Sequence, residues 1–156
     1  MSASKVRSVA FAKAGAVAVA VVGIDQLTKY FVRSGIAVGD VHKFLPAVNL
    51  VDVRNSGVAF GVLSGGGAIV LVFTFLALAL LLGYFARRPD RPWLWLPAGL
   101  LTGGALGNLF DRLIHGAVTD FIKLPLWPAF NVADMAITFG VLALLYVLEG
   151  RRHDAG

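Results

Sequence analysis

FNVADMAITFGVLALLYVL, residues 130–148, is an apolar run of 19 residues with a single charge, Asp134. At about 1.5 Å per residue, a helix of this length crosses a hydrocarbon core of roughly 30 Å. A carboxylate inside such a span is energetically expensive, so it normally faces a protein interior or a wet cavity and has a function. The run therefore predicts a membrane helix that holds a functional aspartate near its start.

Two further runs, residues 68–86 and 93–110, contain no charged side chain and are also long enough to span a membrane. A first span is predicted at about residues 9–31, although its uncharged core, residues 14–24, is short. The four runs predict a four-transmembrane-helix bundle, and residues 1–156 are expected to form one membrane-embedded domain.

The first run has an alternative interpretation as a secretory signal peptide. Basic residues precede it, and Ala18-Val19-Ala20 has the small-x-small form of a cleavage site. The motif lies in the middle of the apolar run and not after it. We therefore expect a retained first span.

The charge distribution predicts the orientation. The chain has 156 residues, 58% of them hydrophobic and 15% charged, with a net charge of +5. The two tails and the connection between spans 2 and 3 together hold eight basic and three acidic residues, so all of the net charge lies on one side. The positive-inside rule makes that side cytoplasmic. The basic composition thus indicates membrane orientation, with both termini inside the cell, and no nucleic-acid partner is expected.

The chain has no cysteine, which excludes disulfides, thiolate catalysis and cysteine metal sites. The three histidines, His42, His115 and His153, have no metal-ligand spacing. We expect neither a metal nor another cofactor.

The two connections on the outer side differ in length. The longer one, about residues 35–67, contains a partly alternating stretch at residues 48–54, which predicts a strand in a small extracytoplasmic β-sheet between helices 1 and 2. Gly57, Gly61 and the glycine run 65–67 make a mobile flap plausible there. The second connection, residues 111–129, contains Asp120 and Trp127. Trp127 fits an interfacial aromatic belt.

Asp120 and Asp134 are predicted to lie near the same outer face. Two close carboxylates cannot both ionise cheaply, so the pKa of one rises and the pair holds a proton between them. The ionised carboxylate can activate water, while the protonated one polarises a carbonyl and then protonates the leaving amine. This is the chemistry of an aspartic peptidase.

Other polar residues near the span ends each have a functional and a structural interpretation. Asp25 is expected at a membrane interface, Asn55 in a turn, and Asn131 at a helix N-terminus as its cap. Arg112 shares a helical face with Asn108, and it either forms a local ion pair with Asp111 or binds phosphate or a carboxylate at the site. The glycines at 103, 104 and 107 predict close helix packing.

Five blocks in order give the chain a resemblance to the lipoprotein signal peptidases, the bacterial type II signal peptidases. They are Asp25-Gln26-Leu27-Thr28-Lys29, Asn55-Ser56-Gly57-Val58-Ala59-Phe60-Gly61, Gly104-Ala105-Leu106-Gly107-Asn108-Leu109-Phe110-Asp111-Arg112, Val118-Thr119-Asp120-Phe121 and Phe130-Asn131-Val132-Ala133-Asp134. Any one block is weak, but five of them in the right positions relative to four spans are specific.

The resemblance implies a membrane aspartyl endopeptidase of the bacterial inner membrane, with a small extracytoplasmic β-cradle and an active site near the outer face. It implies that the enzyme removes the signal peptide from diacylglyceryl-modified prolipoproteins by cutting N-terminal to the lipidated cysteine. The expected partners are that substrate and membrane lipids, and a monomer is expected. The catalytic pair maps onto Asp120 and Asp134. The supporting and substrate-binding positions map onto Asp25, Lys29, Asn55, Gly57, Asn108, Arg112 and Asn131.

A small proton-coupled transporter is the alternative from another class, since four spans with intramembrane carboxylates would suit one. A transporter needs its carboxylate near the midplane, whereas both central aspartates here lie at the ends of spans. The sequence therefore favours the peptidase.

Overall fold

The computed structural model describes residues 3–56 and 66–153, which form four helices and one sheet. The helices are α1 (Ala3–Gly35), α2 (Gly66–Arg87), α3 (Trp95–His115) and α4 (Val132–His153). The strands are β1 (Val41–Leu45), β2 (Val48–Asn55) and β3 (Val118–Lys123). All four apolar runs are therefore helical. α1 and α3 extend several residues past the predicted bounds, because charged residues at a helix end do not interrupt its hydrogen bonds.

The sheet is antiparallel with strand order β1-β2-β3. β1 and β2 form a hairpin in the first outer connection, and β2 contains the strand predicted at residues 48–54. The third strand comes from the connection between α3 and α4, so the prediction of a sheet confined to the region between helices 1 and 2 is wrong. β3 gives no alternating signal, because Val118 to Phe121 are all buried. A strand covered on both faces does not alternate apolar and polar residues.

The sheet has two faces with different polar side chains. Asn55 pairs with Val118, and Val53 pairs with Asp120, so Asn55 and Asp120 lie on one face. Arg54 pairs with Thr119 on the other face. A bulge between Leu50 and Val53 sets this register. The sheet therefore separates an amide–carboxylate pair from a guanidinium–hydroxyl pair.

α3 is the central helix and packs against both α1 and α4. A Cβ built at Gly103 would lie 2.8 Å from the Ala18 carbonyl oxygen on α1, and one at Gly104 would lie 2.5 Å from the Ala133 carbonyl oxygen on α4. Because real Cβ atoms do not approach so closely, the predicted close packing at these glycines is confirmed. Gly116, with φ of 74°, ends α3 in the left-handed conformation and lets β3 begin two residues later.

Two helical stretches among the described residues, Ser4–Gly35 and Val132–Glu149, are long and apolar enough to cross a membrane. The Thr74–Arg87 part of α2 is apolar but shorter. α3, which contains Asn108, Asp111 and Arg112, is not one of these stretches. Four membrane crossings stay a prediction.

Candidate active site

Two carboxylates lie where the sheet meets the fourth helix. Asp120 is in β3 and is 2% exposed, and Asp134 is in the first turn of α4 and partly buried. Asn131 contacts both of them. Its Nδ2 donates to Asp120 Oδ1 at 2.7 Å, and its backbone N–H donates to Asp134 Oδ2 at 3.2 Å. The fold therefore brings together the two aspartates that the sequence paired.

Asn131 is also the N-cap of α4. The Asp134 backbone N–H donates to Asn131 Oδ1 at 2.9 Å, while the Asp134 carboxylate accepts from the Asn131 backbone. This reciprocal pair is a capping box, in which each side chain satisfies an unpaired N–H of the first helical turn. The capping interpretation of Asn131 is confirmed. Capping also fixes the direction of its Nδ2, which points at Asp120.

Each carboxylate has a second amide donor. Asn55 Nδ2 donates to Asp120 Oδ2 at 2.9 Å, and Asn108 Nδ2 donates to Asp134 Oδ1 at 2.7 Å. Asn131 Nδ2 also lies 3.1 Å from Asn108 Oδ1. Three asparagines from three elements thus surround the two aspartates. Neutral donors orient a carboxylate without adding a charge to the site.

Burial, with a smaller contribution from the nearby charge of Asp134, raises the pKa of Asp120 to about 6 against the lowering effects of the hydrogen bonds from Asn55 and Asn131 and of the charge of Lys29. Desolvation disfavours the ionised form of a carboxyl, and a neighbouring carboxylate acts in the same direction. Asp120 therefore takes up a proton at a higher pH than an ordinary aspartate does.

A buried lysine lies beneath the asparagines. Lys29 is 0% exposed, and its Nζ contacts Asp25 Oδ2 at 2.8 Å, Asn108 Oδ1 at 3.0 Å and Asp111 Oδ2 at 3.2 Å. An ammonium has three N–H donors and no acceptor, so these contacts use its whole capacity. They also decide the orientation of the Asn108 amide. Its oxygen must face Lys29, which leaves Nδ2 for Asp134.

Asp25 connects this cluster to α4. It is 0% exposed, and its Oδ1 accepts from the backbone N–H of Ala133 at 2.9 Å. That N–H lies in the first turn of α4, where the helix itself offers no acceptor. Asp25 is therefore not an exposed side chain at a span end. Burial by α3 and α4, which the sequence of α1 alone does not reveal, makes it a structural anion.

Arg112 is not the partner of Asp111. Asp111 is fully buried and bonds to Lys29, to Gln26 Nε2 at 3.1 Å and to the Thr119 backbone N–H at 3.0 Å. The suggested local ion pair is therefore wrong, because adjacent residues on a helix point in different directions. Arg112 instead donates weakly to the Asn108 backbone oxygen, at 3.4 Å. Among the described residues, its Nε has no hydrogen-bond partner.

A second polar cluster went unnoticed in the sequence. Arg33 Nη1 and Arg54 Nη1 both donate to Thr119 Oγ1, at 3.3 and 3.2 Å, and Thr119 is the neighbour of Asp120. Arg54 Nη2 pairs with Asp52 at 2.7 Å, and Arg33 reaches Asp111 at 3.4 Å. The sequence contained one indication of this cluster. Asp25, Lys29 and Arg33 are spaced four residues apart on α1, which places three charges on one face of an apolar helix.

Gly57, the remaining predicted supporting residue, lies outside the described residues, as does most of the suggested flap. Gly66 and Gly67 are the first residues of α2. Within the described ranges, no group of three histidine, cysteine, aspartate or glutamate side chains could hold a metal ion.

Comparison with known proteins identifies the architecture. Two solved structures described as bacterial membrane enzymes superpose with TM-scores of 0.82 and 0.80. The first is 32% identical and covers 92% of this chain and 91% of that one, and the second is 34% identical and covers 86% and 91%. The shared fold and the apolar helices make the chain a membrane protein and a membrane enzyme by class.

Residues 17–149 match the family model described as Signal peptidase (SPase) II. The lipoprotein signal peptidase of Moorella thermoacetica is 44% identical over 136 residues, which cover 84% of this chain and 89% of that protein. The lipoprotein signal peptidase of Burkholderia thailandensis is 42% identical and covers 81% of each chain. The chain belongs to the signal peptidase II family, and it is a peptidase. The comparisons give no support to the transporter alternative.

Replacing Lys29 by Met should lower the free energy of unfolding by about 3–5 kcal/mol, because Asp25 and Asp111 would stay buried without their cation. Lys43→Met is the matched control, since Lys43 lies exposed on β1 and should change stability by less than about 0.5 kcal/mol. Thermal unfolding in detergent measures both. Equal unfolding temperatures for the two variants would contradict the role of Lys29.

Asp120→Asn should raise the unfolding temperature at neutral pH. The pKa of Asp120 in the folded protein, about 6, lies above the ordinary value of 3.8, so only the folded state holds the proton between these values. The wild type therefore loses stability as the pH rises through that window, and it stays at the lower level above it. The variant has no such loss. Unfolding scans across the window should show that the difference in unfolding temperature between the variant and the wild type falls to zero on acidification. A difference that grows on acidification would contradict the assignment.

Proposed function

We propose that this peptidase is an aspartic endopeptidase that removes the signal peptide from diacylglyceryl-modified prolipoproteins, cutting N-terminal to the lipidated cysteine. The observation that supports it best is the contact of Asn131 with both Asp120 and Asp134. The naming of relatives as lipoprotein signal peptidases supports the substrate class. The five sequence blocks support the cleavage position.

Neither of the two aspartates belongs to an ion pair in the part of the chain that the structure describes. The described ion pairs join Lys29, Arg33 and Arg54 to Asp25, Asp52 and Asp111, and none involves Asp120 or Asp134. Asp120 and Asp134 instead accept hydrogen bonds from neutral amides. A carboxylate pair without a cation lowers its repulsion by holding one proton. The raised pKa of Asp120 supports its carboxyl as a holder of that proton.

The reaction follows from a pair that holds one proton. The ionised carboxylate takes a proton from water, and the water oxygen forms a bond to the scissile carbonyl carbon. The protonated carboxyl donates its proton to the carbonyl oxygen as negative charge develops there. When the tetrahedral intermediate collapses, the carbon–nitrogen bond breaks and the amine of the lipidated cysteine receives the proton that one carboxyl took from water. A hydroxyl of the intermediate returns its proton to the other carboxylate as the carbonyl re-forms. One water is consumed, and the aspartates return to their starting state.

Asn55 and Asn108 orient the two carboxylates in this mechanism, and Arg112 acts on the substrate side. Its guanidinium lies one helical turn from Asn108 and has an unsatisfied Nε among the described residues. A guanidinium with an Nε–H donor left over suits a polar group near the lipid-bearing cysteine, or the charge that develops during the reaction. Lys29 and Asp25 act indirectly, by holding Asn108 and the start of α4.

An apolar groove between α2, α3 and α4 suits the helix of a signal peptide. The cavity has a volume of about 560 Å³ and is lined by Leu78, Leu81, Leu101, Ala105, Ile137 and Val141 among others. Ile137 lies one turn beyond Asp134, and Ala105 lies one turn before Asn108. The groove therefore leads away from the carboxylates along the direction that a spanning substrate helix would follow.

We further propose four membrane crossings by a single domain in the bacterial inner membrane, acting as a monomer, with both termini cytoplasmic and the carboxylates near the outer face. The basic α2–α3 turn supports this orientation. Arg91 Nη2 donates to the Val147 carbonyl oxygen at 2.8 Å, so the turn lies near the C-terminal end of α4. Asp134 is in the first turn of the same helix, at the opposite end. The basic turn and the aspartates would then face opposite sides of the membrane.

Asp120→Asn and Asp134→Asn should each lower cleavage of a diacylglyceryl-modified prolipoprotein at least about a hundredfold, because general acid–base catalysis contributes that much or more. Asn keeps the shape and removes the ionisable group. Asp40→Asn, which changes an exposed carboxylate before β1, is the control and should cleave normally. A gel-shift assay follows the reaction. Near-normal cleavage by either folded variant would remove that residue from the chemistry.

Val141→Trp should raise KM for the same substrate about tenfold, with a smaller change in kcat, because it fills the groove and not the reaction centre. Leu142→Trp is the matched control, since Leu142 is the next residue of α4, is 56% exposed and does not line the groove. Steady-state kinetics in one detergent compare the two. Equal KM values would place the substrate helix elsewhere.

A further inference from the structure

The loop between β3 and α4 has two exposed apolar side chains at its tip. Leu126 is fully exposed, at 104% of the reference area, and Trp127 is 62% exposed. We call these two residues the apolar tip. Pro125 and Pro128 flank it, and each restricts its own backbone. Such a pair has no packing role within the described structure, so its apolar area is available to a partner beyond the described residues.

The apolar tip stands on a closed base. The Phe130 N–H donates to the Ile122 carbonyl oxygen at 3.0 Å, and the Ile122 N–H donates to the Phe130 carbonyl oxygen at 2.8 Å. Lys123 Nζ also donates to the Trp127 carbonyl oxygen at 2.8 Å. These bonds close residues 123–129 into a hairpin-like loop. The loop therefore holds the two side chains in a fixed position relative to β3 and α4.

Leu126 adopts a backbone conformation that its side chain disfavours. Its φ is 60°, in the left-handed region, where glycine and asparagine are common and a residue like leucine is not. If the loop needed only this turn, asparagine or glycine would serve better. A leucine that is both strained and fully exposed points to a role for its side chain.

The apolar tip directly precedes a helix that has exposed apolar side chains. That helix begins a few residues later and exposes Met135, Phe139 and Leu142. In a membrane protein these exposed side chains face lipid, and the start of the helix lies near the headgroups. Tryptophan prefers this interfacial depth, and the neighbouring Lys123 can remain among the polar headgroups. Continuity with the membrane surface favours lipid over another protein as the partner of the tip.

We propose that the apolar tip inserts into the interfacial layer of the bilayer and sets the depth of the carboxylate pair. β3 precedes the loop and contains Asp120, and α4 follows the loop and contains Asp134. A tip fixed at the boundary between headgroups and acyl chains therefore fixes both carboxylates relative to the membrane surface. The catalytic consequence rests on the proposed function, whereas the insertion itself does not.

Fluorescence tests insertion without reference to activity. Replacing Trp93 and Trp95 by Phe leaves Trp127 as the only tryptophan of the chain. The full-length variant is reconstituted into vesicles of phosphatidylcholine and phosphatidylglycerol that contain nitroxide-labelled lipids. We expect stronger quenching by labels near the headgroup than by labels near the acyl terminus, and little quenching by aqueous iodide. Strong iodide quenching would overturn the proposal. Protection from both quenchers would overturn it too, because it would mean that protein covers the tip.

Cleavage in vesicles tests the consequence. Leu126→Asn keeps a residue that favours the left-handed turn and removes only the apolar side chain. We expect Leu126→Asn and Trp127→Ser each to lower kcat/KM for a lipidated substrate about tenfold in vesicles, the effect of losing one apolar insertion. Trp93→Ser is the matched control, because Trp93 is 64% exposed with φ of 62° and lies in the α2–α3 turn. It should cleave normally.

The same assay in detergent micelles separates depth from turn chemistry. A micelle imposes no fixed depth, so the two tip variants should recover most of the wild-type rate there. Wild-type rates in vesicles for both variants would overturn the depth-setting role. An equal loss in vesicles and micelles would also overturn it, since the tip would then act on the site directly. An inactive wild type would instead count against the proposed function and leave the fluorescence result to decide insertion.

Discussion

The structure depends on a buried ammonium that has to be fully paired. Lys29 is 0% exposed, and a charge removed from water costs several kcal/mol unless hydrogen-bonded partners surround it. It finds three acceptors, on Asp25, Asn108 and Asp111. The two aspartates accept in turn from backbone N–H groups of Ala133 and Thr119. One lysine thereby ties α1 to α3, to the start of α4 and to β3. None of these elements can shift without leaving a buried charge unpaired.

The same cluster prepares the carboxylate pair without touching it. Lys29 orients the Asn108 amide toward Asp134, and the Asp25 contact holds the first turn of α4, in which Asn131 forms its capping box. Close packing makes this possible. A Cβ at Gly107 would lie 2.7 Å from Asp25 Oδ2, so a larger residue there would displace the carboxylate. The cations of the described ion pairs contact other carboxylates, whereas neutral amides contact Asp120 and Asp134. Among the described residues, neither Asp120 nor Asp134 belongs to an ion pair.

Several features were accessible from the sequence because they depend on local pattern. The apolar runs predicted all four helices, and the alternation near Val51 predicted β2. The isolated charge of Asp134, with Asp120 nearby, predicted a carboxylate pair. The polar partners were less accessible. Because Asp111 is next to Arg112, the sequence suggested a local ion pair. In the fold, Asp111 instead pairs with Lys29, which is distant in the chain. β3 was missed because a strand buried on both faces has no alternation. The contact of Arg33 and Arg54 with Thr119 requires a strand register that no local pattern encodes.

The sequence by itself determined the membrane character of the chain, its helices and its family, because these follow from composition, from the length of apolar runs and from short ordered motifs. Only the tertiary structure decided which charges neutralise one another. Asp25 and Lys29 could have been an exposed pair at a span end, and the packing of α3 and α4 over them made them a buried structural pair. The physical reason is that the free energy of a charge depends on its solvation and on its partners, and both are properties of the folded arrangement. Hydrophobic periodicity, in contrast, is a property of the linear sequence.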